Sequence, residues 1–167
     1  MEIRLVKWRP EDAEVLAALC DGADRRFLSD RLPQPYTLQD ARNWLDRVQA
    51  LEGRSGVFRA VTLDGEVVGM ISVEQKGDVY RKDGDLGYLL GTAQWSKGIM
   101  TQAVRQICPI AFAELDLLRI TGMVYEDNYA SRKVLEKNGF RLEGTMKQAI
   151  IKAGSIHDLC IYGKLKE

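Results

Sequence analysis

The sequence predicts an α+β fold: a mixed, mostly antiparallel twisted sheet flanked by helices, in a single domain spanning residues 1–167. Three observations predict it. First, the strand-like run "DLGYLL" leads through "GTAQWSKG" into an apolar-periodic helix, and "RITGMVYE" follows as a second strand. A crossover helix makes those two strands parallel, so the centre is a β-α-β unit of right-handed connectivity. Second, "GVFRAVTL" and "EVVGMISVEQ", joined by Asp64-Gly65, read as a hairpin with the favoured two-residue turn. Third, "FRLEGTMKQAIIK" and "SIHDLCIYGKL", joined by Ala153-Gly154, read as a closing hairpin. The two hairpins make the rest of the sheet antiparallel.

The remaining elements follow in order. "EIRLVKW" alternates apolar and polar residues, as a half-buried strand does. Pro10 opens a helix with Glu11 and Asp12 in its first turn, and Val15, Leu16 and Leu19 share one face. "DGADRRFLSDRLPQPYT" is a loop carrying Phe27, Leu28, Leu32 and Tyr36. Thr37 is an N-cap for a second helix with Ala41, Trp44, Leu45 and Val48 inward. Residues 77–84 read as a loop or an edge excursion. From Gly98, residues Ile99, Ala103, Ile107 and Ile110 keep helical spacing, and Pro109 is expected to kink that helix by removing a donor. Asn128 to Lys137 reads as a helix, stopped by Asn138-Gly139.

Composition narrows the function. The chain has 167 residues, 46% hydrophobic and 29% charged, which suits one globular domain with a core that needs no covalent staples. A formal net charge of zero argues against nucleic acid or an anionic membrane as the main partner. Arg25, Arg26 and Arg31 are the one basic cluster, and a solvated loop explains them equally well. The three cysteines, Cys20, Cys108 and Cys160, fit neither a disulfide framework nor a metal site. Reduced, buried thiols and a cytoplasmic protein are expected. The start, "MEIRLVKWRP", carries no apolar leader-like run, and no membrane span is expected.

The chemistry concentrates at "QWSKGIMTQA", residues 94–103. A helix N-terminus presents unpaired N–H groups and about half a positive charge. Gly98 keeps that backbone approachable, and Lys97 and Thr101 are further donors. Phosphate is the natural guest, although one glycine at a strand-to-helix turn also serves geometry alone. Neither G-x-x-x-x-G-K-[ST] nor G-x-G-x-x-G is present, so a mononucleotide or dinucleotide loop of the usual kinds is excluded.

"WSKGIMTQA" resembles the pyrophosphate-binding motif of the GNAT family of N-acetyltransferases in the form typical of its RimJ/RimL branch. "NYASRKVLEKNGFRLEG", residues 128–144, is similar to a second pattern of that branch. "LVKWRPEDAEVL", "PYTLQDARNWL" and "GSIHDLCIYG" add to the likeness, which runs in order along nearly the whole chain. The resemblance implies a GNAT-like acyl-CoA N-acyltransferase fold and acetyl-CoA as the bound cofactor. It places the pyrophosphate on Ser96, Lys97, Gly98, Ile99, Met100 and Thr101. Ser96 stands where the motif usually has glycine, which requires a negative φ there or a hydroxyl contact in exchange. Leu89, Leu90 and Gly91 would lend backbone groups to the pantetheine arm. Asn128 would bind the same arm or simply cap its helix, and Ser131 would face the departing sulfur. Leu135 stands where many relatives carry an acidic tyrosine.

The base is not carried over, because Ile150 stands where RimL-type relatives have glutamate. Asp85 is a candidate that surface solvation also explains, and the His157–Asp158 neighbours are another. The acceptor cleft would be lined by Phe27, Leu28, Leu32, Tyr36, Ile150 and His157. The expected activity is direct transfer of acetyl to a primary amine, foremost a protein N-terminus of the ribosomal-protein type. Alternatives are a small amine (polyamine, amino sugar or antibiotic) or a low-activity acyl-CoA-binding module. Association between copies of the chain is left open, and no metal is expected.

Overall fold

The computed structural model describes residues 1–167. In chain order it contains β1 (Ile3–Val6), α1 (Ala13–Asp21), α2 (Leu38–Leu51), β2 (Gly56–Leu63), β3 (Glu66–Gln75), β4 (Asp83–Leu90), α3 (Ile99–Glu114), β5 (Arg119–Tyr125), α4 (Tyr129–Lys137), β6 (Arg141–Lys152) and β7 (Ser155–Leu165). Short 3-10 turns fall at Pro10–Asp12, Asp78–Tyr80 and Thr92–Gln94. The seven strands form one sheet in the order β1-β2-β3-β4-β5-β7-β6. Every neighbouring pair is antiparallel except β4 and β5, which α3 connects in parallel. This is the mixed, mostly antiparallel sheet with a central β-α-β crossover that the sequence predicts.

Alternation along β2 explains why helices cover both faces. Val57 and Val61 enter a cluster with Ile99, Val104 and Ile107 of α3 and Leu135 of α4. Phe58 and Ala60 enter a second cluster with Leu16 of α1 and Ala41, Leu45 and Val48 of α2. Successive side chains of a strand point to opposite faces, so this almost wholly buried run is a central strand covered twice. Cys20, Cys108 and Cys160 are free and buried. No helix is long and apolar enough to cross a membrane.

The turns follow the chemistry of their residues. Asp64-Gly65 and Ala153-Gly154 place both central residues at positive φ, as a tight two-residue hairpin requires. Thr37 caps α2: its hydroxyl accepts from the Asp40 amide while the Asp40 carboxylate accepts from the Thr37 amide. α3 runs as one helix through Pro109, where the Arg105 carbonyl loses its usual amide partner.

The feature that positions the site is a split in the sheet. β4 and β5 are in register only over Asp83–Leu86 and Arg119–Gly122. Beyond that, β4 continues on β3 to Leu90 while β5 continues on β7 to Tyr125. At the edge of the split, Gly122 lets α4 lie close: a β-carbon there would sit 3.0 Å from a methyl of Leu135. Leu135 therefore fills the core between α4 and β5 instead of reaching the split.

Candidate active site

The N-terminus of α3 opens beside the parted end of β4. Gly98 is its N-cap, at φ 76°, and the capping position has no side-chain partner. The first intrahelical bond runs from the Gln102 amide to the Gly98 carbonyl at 3.3 Å. The amides of Ser96 to Thr101 donate to no other group of the protein. A β-carbon on Gly98 would meet nothing within 4 Å, so the space over these amides is open. Ile99 and Met100 are buried and anchor the turn from below. Ser96 lies at φ 62°, contrary to the negative φ its side chain was expected to require. The left-handed region is open to serine at a cost of about 1–2 kcal/mol. With Ser96 and Gly98 both at positive φ and Lys97 between them not, the loop alternates in handedness and gathers its amides into an anion-binding concavity. The Lys97 ammonium turns back to Gln94, and Thr101 lends its carbonyl to the Asn138 side chain, which ties α3 to α4.

Strand alternation corrects the expectation for β4. The Lys76 amide bonds the Asp83 carbonyl and the Gly91 amide bonds the Val68 carbonyl, with no register slip between. Asp83, Asp85, Gly87, Leu89 and Gly91 therefore spend their backbone groups on β3. Tyr88 and Leu90 turn theirs into the split. Of the expected trio only Leu90 faces a ligand lying there, and its carbonyl already accepts from the Trp95 indole at 3.0 Å. Tyr88 is the residue that sequence reasoning passed over.

Tyr88 also meets α4. Its hydroxyl and the Ser131 hydroxyl hydrogen-bond across the split, joining β4 to the first turn of α4. Burial pushes the Tyr88 phenol up to about 12, with the Ser131 contact pulling the other way. It keeps its proton throughout the physiological range and is a donor, not a base. Asn128 caps α4, its side-chain oxygen accepting from the Ser131 amide at 3.3 Å. The amide nitrogen of that side chain stays free, so capping and ligand binding are compatible.

On the other face, two cavities lie under the α1–α2 loop. One of about 190 Å³ is lined by Leu28, Ser29, Leu32, Trp44 and β4 residues Gly87, Tyr88 and Leu89. The other, about 1010 Å³ and more polar, lies between that loop and the β6–β7 hairpin, with Phe27, Asp127, Lys152 and His157 in its wall. Ser29 and Leu32 belong to both walls, so the cavities adjoin. Phe27 stacks edge-on to Tyr125 with ring centres 5.4 Å apart, and Tyr125 leans on His157 at 5.3 Å. The Lys152 ammonium reaches Asp30 of the loop at 2.6 Å.

The other expected residues fall elsewhere. Tyr36 is buried in the α1–α2 core, its amide bonded to Asp21, and lines neither cavity. The apolar body of its ring fills a gap beside Cys20 and Leu16. Ile150 lines neither cavity but pairs across the hairpin with His157. His157 does not pair with Asp158, whose carboxylate takes Lys147 and the Gln148 amide. Neighbours on a strand point to opposite faces, which separates them. The His157 partner is Asp127, Nδ1 to Oδ2 3.2 Å. Asp85 holds Lys76 at 3.5 Å and lines neither cavity. Burial raises its pKa, which the Lys76 charge partly offsets. No group of side chains is arranged to hold a metal ion.

Comparison with known proteins agrees with this geometry. The acetyltransferase (GNAT) domain family matches residues 2–141. YdaF of Bacillus subtilis (strain 168), whose name provisionally makes it a ribosomal N-acetyltransferase, is 32% identical, covering 98% of this chain and 90% of its own. The prophage-derived uncharacterized N-acetyltransferase YokL of the same organism is 30% identical over 95% of this chain and 87% of its own. Among solved structures, RimL, a ribosomal L7/L12 alpha-N-protein acetyltransferase in complex with coenzyme A, superposes with a TM-score of 0.86 at 23% identity, covering 98% of this chain and 93% of that one. The chain belongs to the GNAT family of acetyltransferases, which move acetyl from acetyl-CoA to an amine.

Proposed function

We propose that the acceptor is the α-amine of a polypeptide N-terminus. The observation that carries this reading is the form of the larger cavity. At about 1010 Å³ it sits at the upper end of small-molecule pockets and adjoins the narrower space beside β4. Its carboxylates are matched within the wall, Asp24 with Arg26, Asp30 with Lys152 and Asp127 with His157, while Arg25 of the same wall donates to the backbone carbonyls of Leu32 and Pro33. A polyamine asks for uncompensated carboxylates, which such a wall does not offer. A neutral peptide backbone with one terminal amine suits it. The names of YdaF and RimL point the same way.

Acetyl-CoA fits the residues present: the free amides of Ser96–Thr101 would hold its diphosphate, and Tyr88, Leu90 and the Asn128 side chain its pantetheine arm. Bound there, it supplies an activated acetyl group as a thioester. The Tyr88 amide is a donor facing the split, and one such donor aimed at developing negative charge contributes about 3 kcal/mol. Ser131, hydrogen-bonded to the Tyr88 phenol, would donate to the departing sulfur. A thiol of pKa about 8.5 leaves with that modest help. An α-amine of pKa about 7.7–8.0 is already partly neutral at pH 7, whereas a lysine amine of about 10.4 is not.

The test is thiol release from acetyl-CoA with a panel: short peptides with free N-termini, the same peptides Nα-blocked and carrying lysine, spermidine and an amino sugar. Turnover confined to the free N-termini is expected. Preference for spermidine or the amino sugar overturns the N-terminal assignment, and CoA binding without turnover of any amine overturns the transfer reading.

A further inference from the structure

We infer that His157 is the general base of the transfer and that Asp127 positions it. The inference rests on the acetyl-transfer reading above, though not on which amine is the acceptor. Both residues stand in the wall of the larger cavity. A carboxylate can only accept, so the 3.2 Å contact with Asp127 fixes the proton on Nδ1 and leaves the Nε2 lone pair free. The ring is 21% exposed, sheltered by Tyr125 but open to a ligand. Asp127 immediately precedes Asn128, the cap of α4, whose first turn carries Ser131. One short segment thus joins the base to the place where sulfur departs.

The groups facing His157 from each neighbouring element can be named. Asp127 comes from the β5–α4 turn, Tyr125 from β5 and Ile150 from β6. The cavity wall adds Lys152 from the hairpin and Asp24, Arg26 and Asp30 from the α1–α2 loop, each held in its own ion pair, and Arg25, whose guanidinium is bonded to the Leu32 and Pro33 carbonyls. None of these ion-paired groups is free to take a proton as the imidazole is. Asp85 is outside the wall and engaged with Lys76, which removes it as a competitor.

The step balances. The acceptor's ammonium gives its proton to Nε2 of His157, and the freed lone pair forms the new C–N bond. The C–S bond breaks with its electron pair going to sulfur, and the second proton, which the nitrogen sheds as the amide forms, reaches that sulfur through the Ser131 hydroxyl, so that Ser131 ends as it began. His157 returns its proton to solvent.

His157 is the only histidine in the chain, so every imidazole signal belongs to it. The experiment compares His157→Ala and Asp127→Asn with wild type, using primary amines of graded basicity alongside the peptide panel. His157→Ala should lower kcat about 100-fold or more, within the usual range for a removed base. The loss should grow with amine pKa, the acidic limb of the pH profile should reduce to the amine's own ionisation, and added imidazole should restore rate. Asp127→Asn should give a smaller loss, with acetyl-CoA affinity unchanged in both. A pH profile and amine dependence in His157→Ala identical to wild type would overturn the assignment, even if peptides prove to be the acceptors. Turnover of small amines but no peptides, with the His157 effects intact, would instead sustain the base and remove only the N-terminal acceptor.

Discussion

The two sides of the sheet split are built from different materials. The side proposed for the donor, Ser96 to Thr101 with Tyr88 and Leu90, is made of backbone amides and carbonyls held at set angles. The side proposed for the acceptor is made of side chains from segments far apart in sequence, such as Asp30 with Lys152 and Asp127 with His157. A backbone site tolerates exchange of most side chains but not of the φ angles that aim it. A side-chain site can be rebuilt residue by residue while the fold stays fixed. The difference suits an enzyme that keeps one donor and varies its acceptor.

The sharpest way to break this contrast is Gly98→Asp. The substitution forces a side chain into φ 76° and sets a carboxylate over the free amides. CoA affinity should fall about 100-fold or more, equivalent to about 2.7 kcal/mol, in a calorimetric titration. Unchanged affinity would remove the anion site. Gly98→Ala separates the two causes, since it keeps the strain without the charge.

The contrast also explains what the sequence could tell. The donor loop was legible because a glycine before an apolar-periodic run marks a left-handed cap on a helix start, and the hairpins announced themselves through Asp64-Gly65 and Ala153-Gly154. Which β4 residues face the split was not legible. That depends on register with β3, and one residue of register exchanges the bonded set for the free set. Tyr88 was missed for that reason. Tyr36 looked like a cleft residue because a loop tyrosine gives no sign of how the loop folds back on α1. The Asp127–His157 pair spans 30 positions and lies beyond any local pattern, whereas the adjacent Asp158 was the visible and mistaken partner.

Smaller effects sharpen the picture. Ser131→Ala removes the hydroxyl that bonds the Tyr88 phenol and is proposed to serve the departing sulfur. It should lower kcat about 10- to 100-fold while leaving CoA affinity in place, the loss of one hydrogen bond to a charged group being about 1.5–3 kcal/mol. A drop in affinity with kcat intact would make Ser131 a binding residue instead.

Ser96→Gly should act in the opposite direction. Relief of the left-handed strain at φ 62° is offset by the greater freedom of glycine in the unfolded chain. Stability should change by less than about 1 kcal/mol, and CoA should bind a few-fold tighter as the loop settles more easily. Weaker binding would show that the Ser96 hydroxyl itself contributes a contact.

The most direct measurement follows the backbone amides by nitrogen-edited NMR while CoA is added. The signals of Ser96, Lys97, Gly98, Ile99, Met100 and Thr101 should shift most, together with the Tyr88 amide, and inorganic pyrophosphate alone should move the first group but not Tyr88. CoA binding that leaves those six amides where they were would contradict the account at its centre.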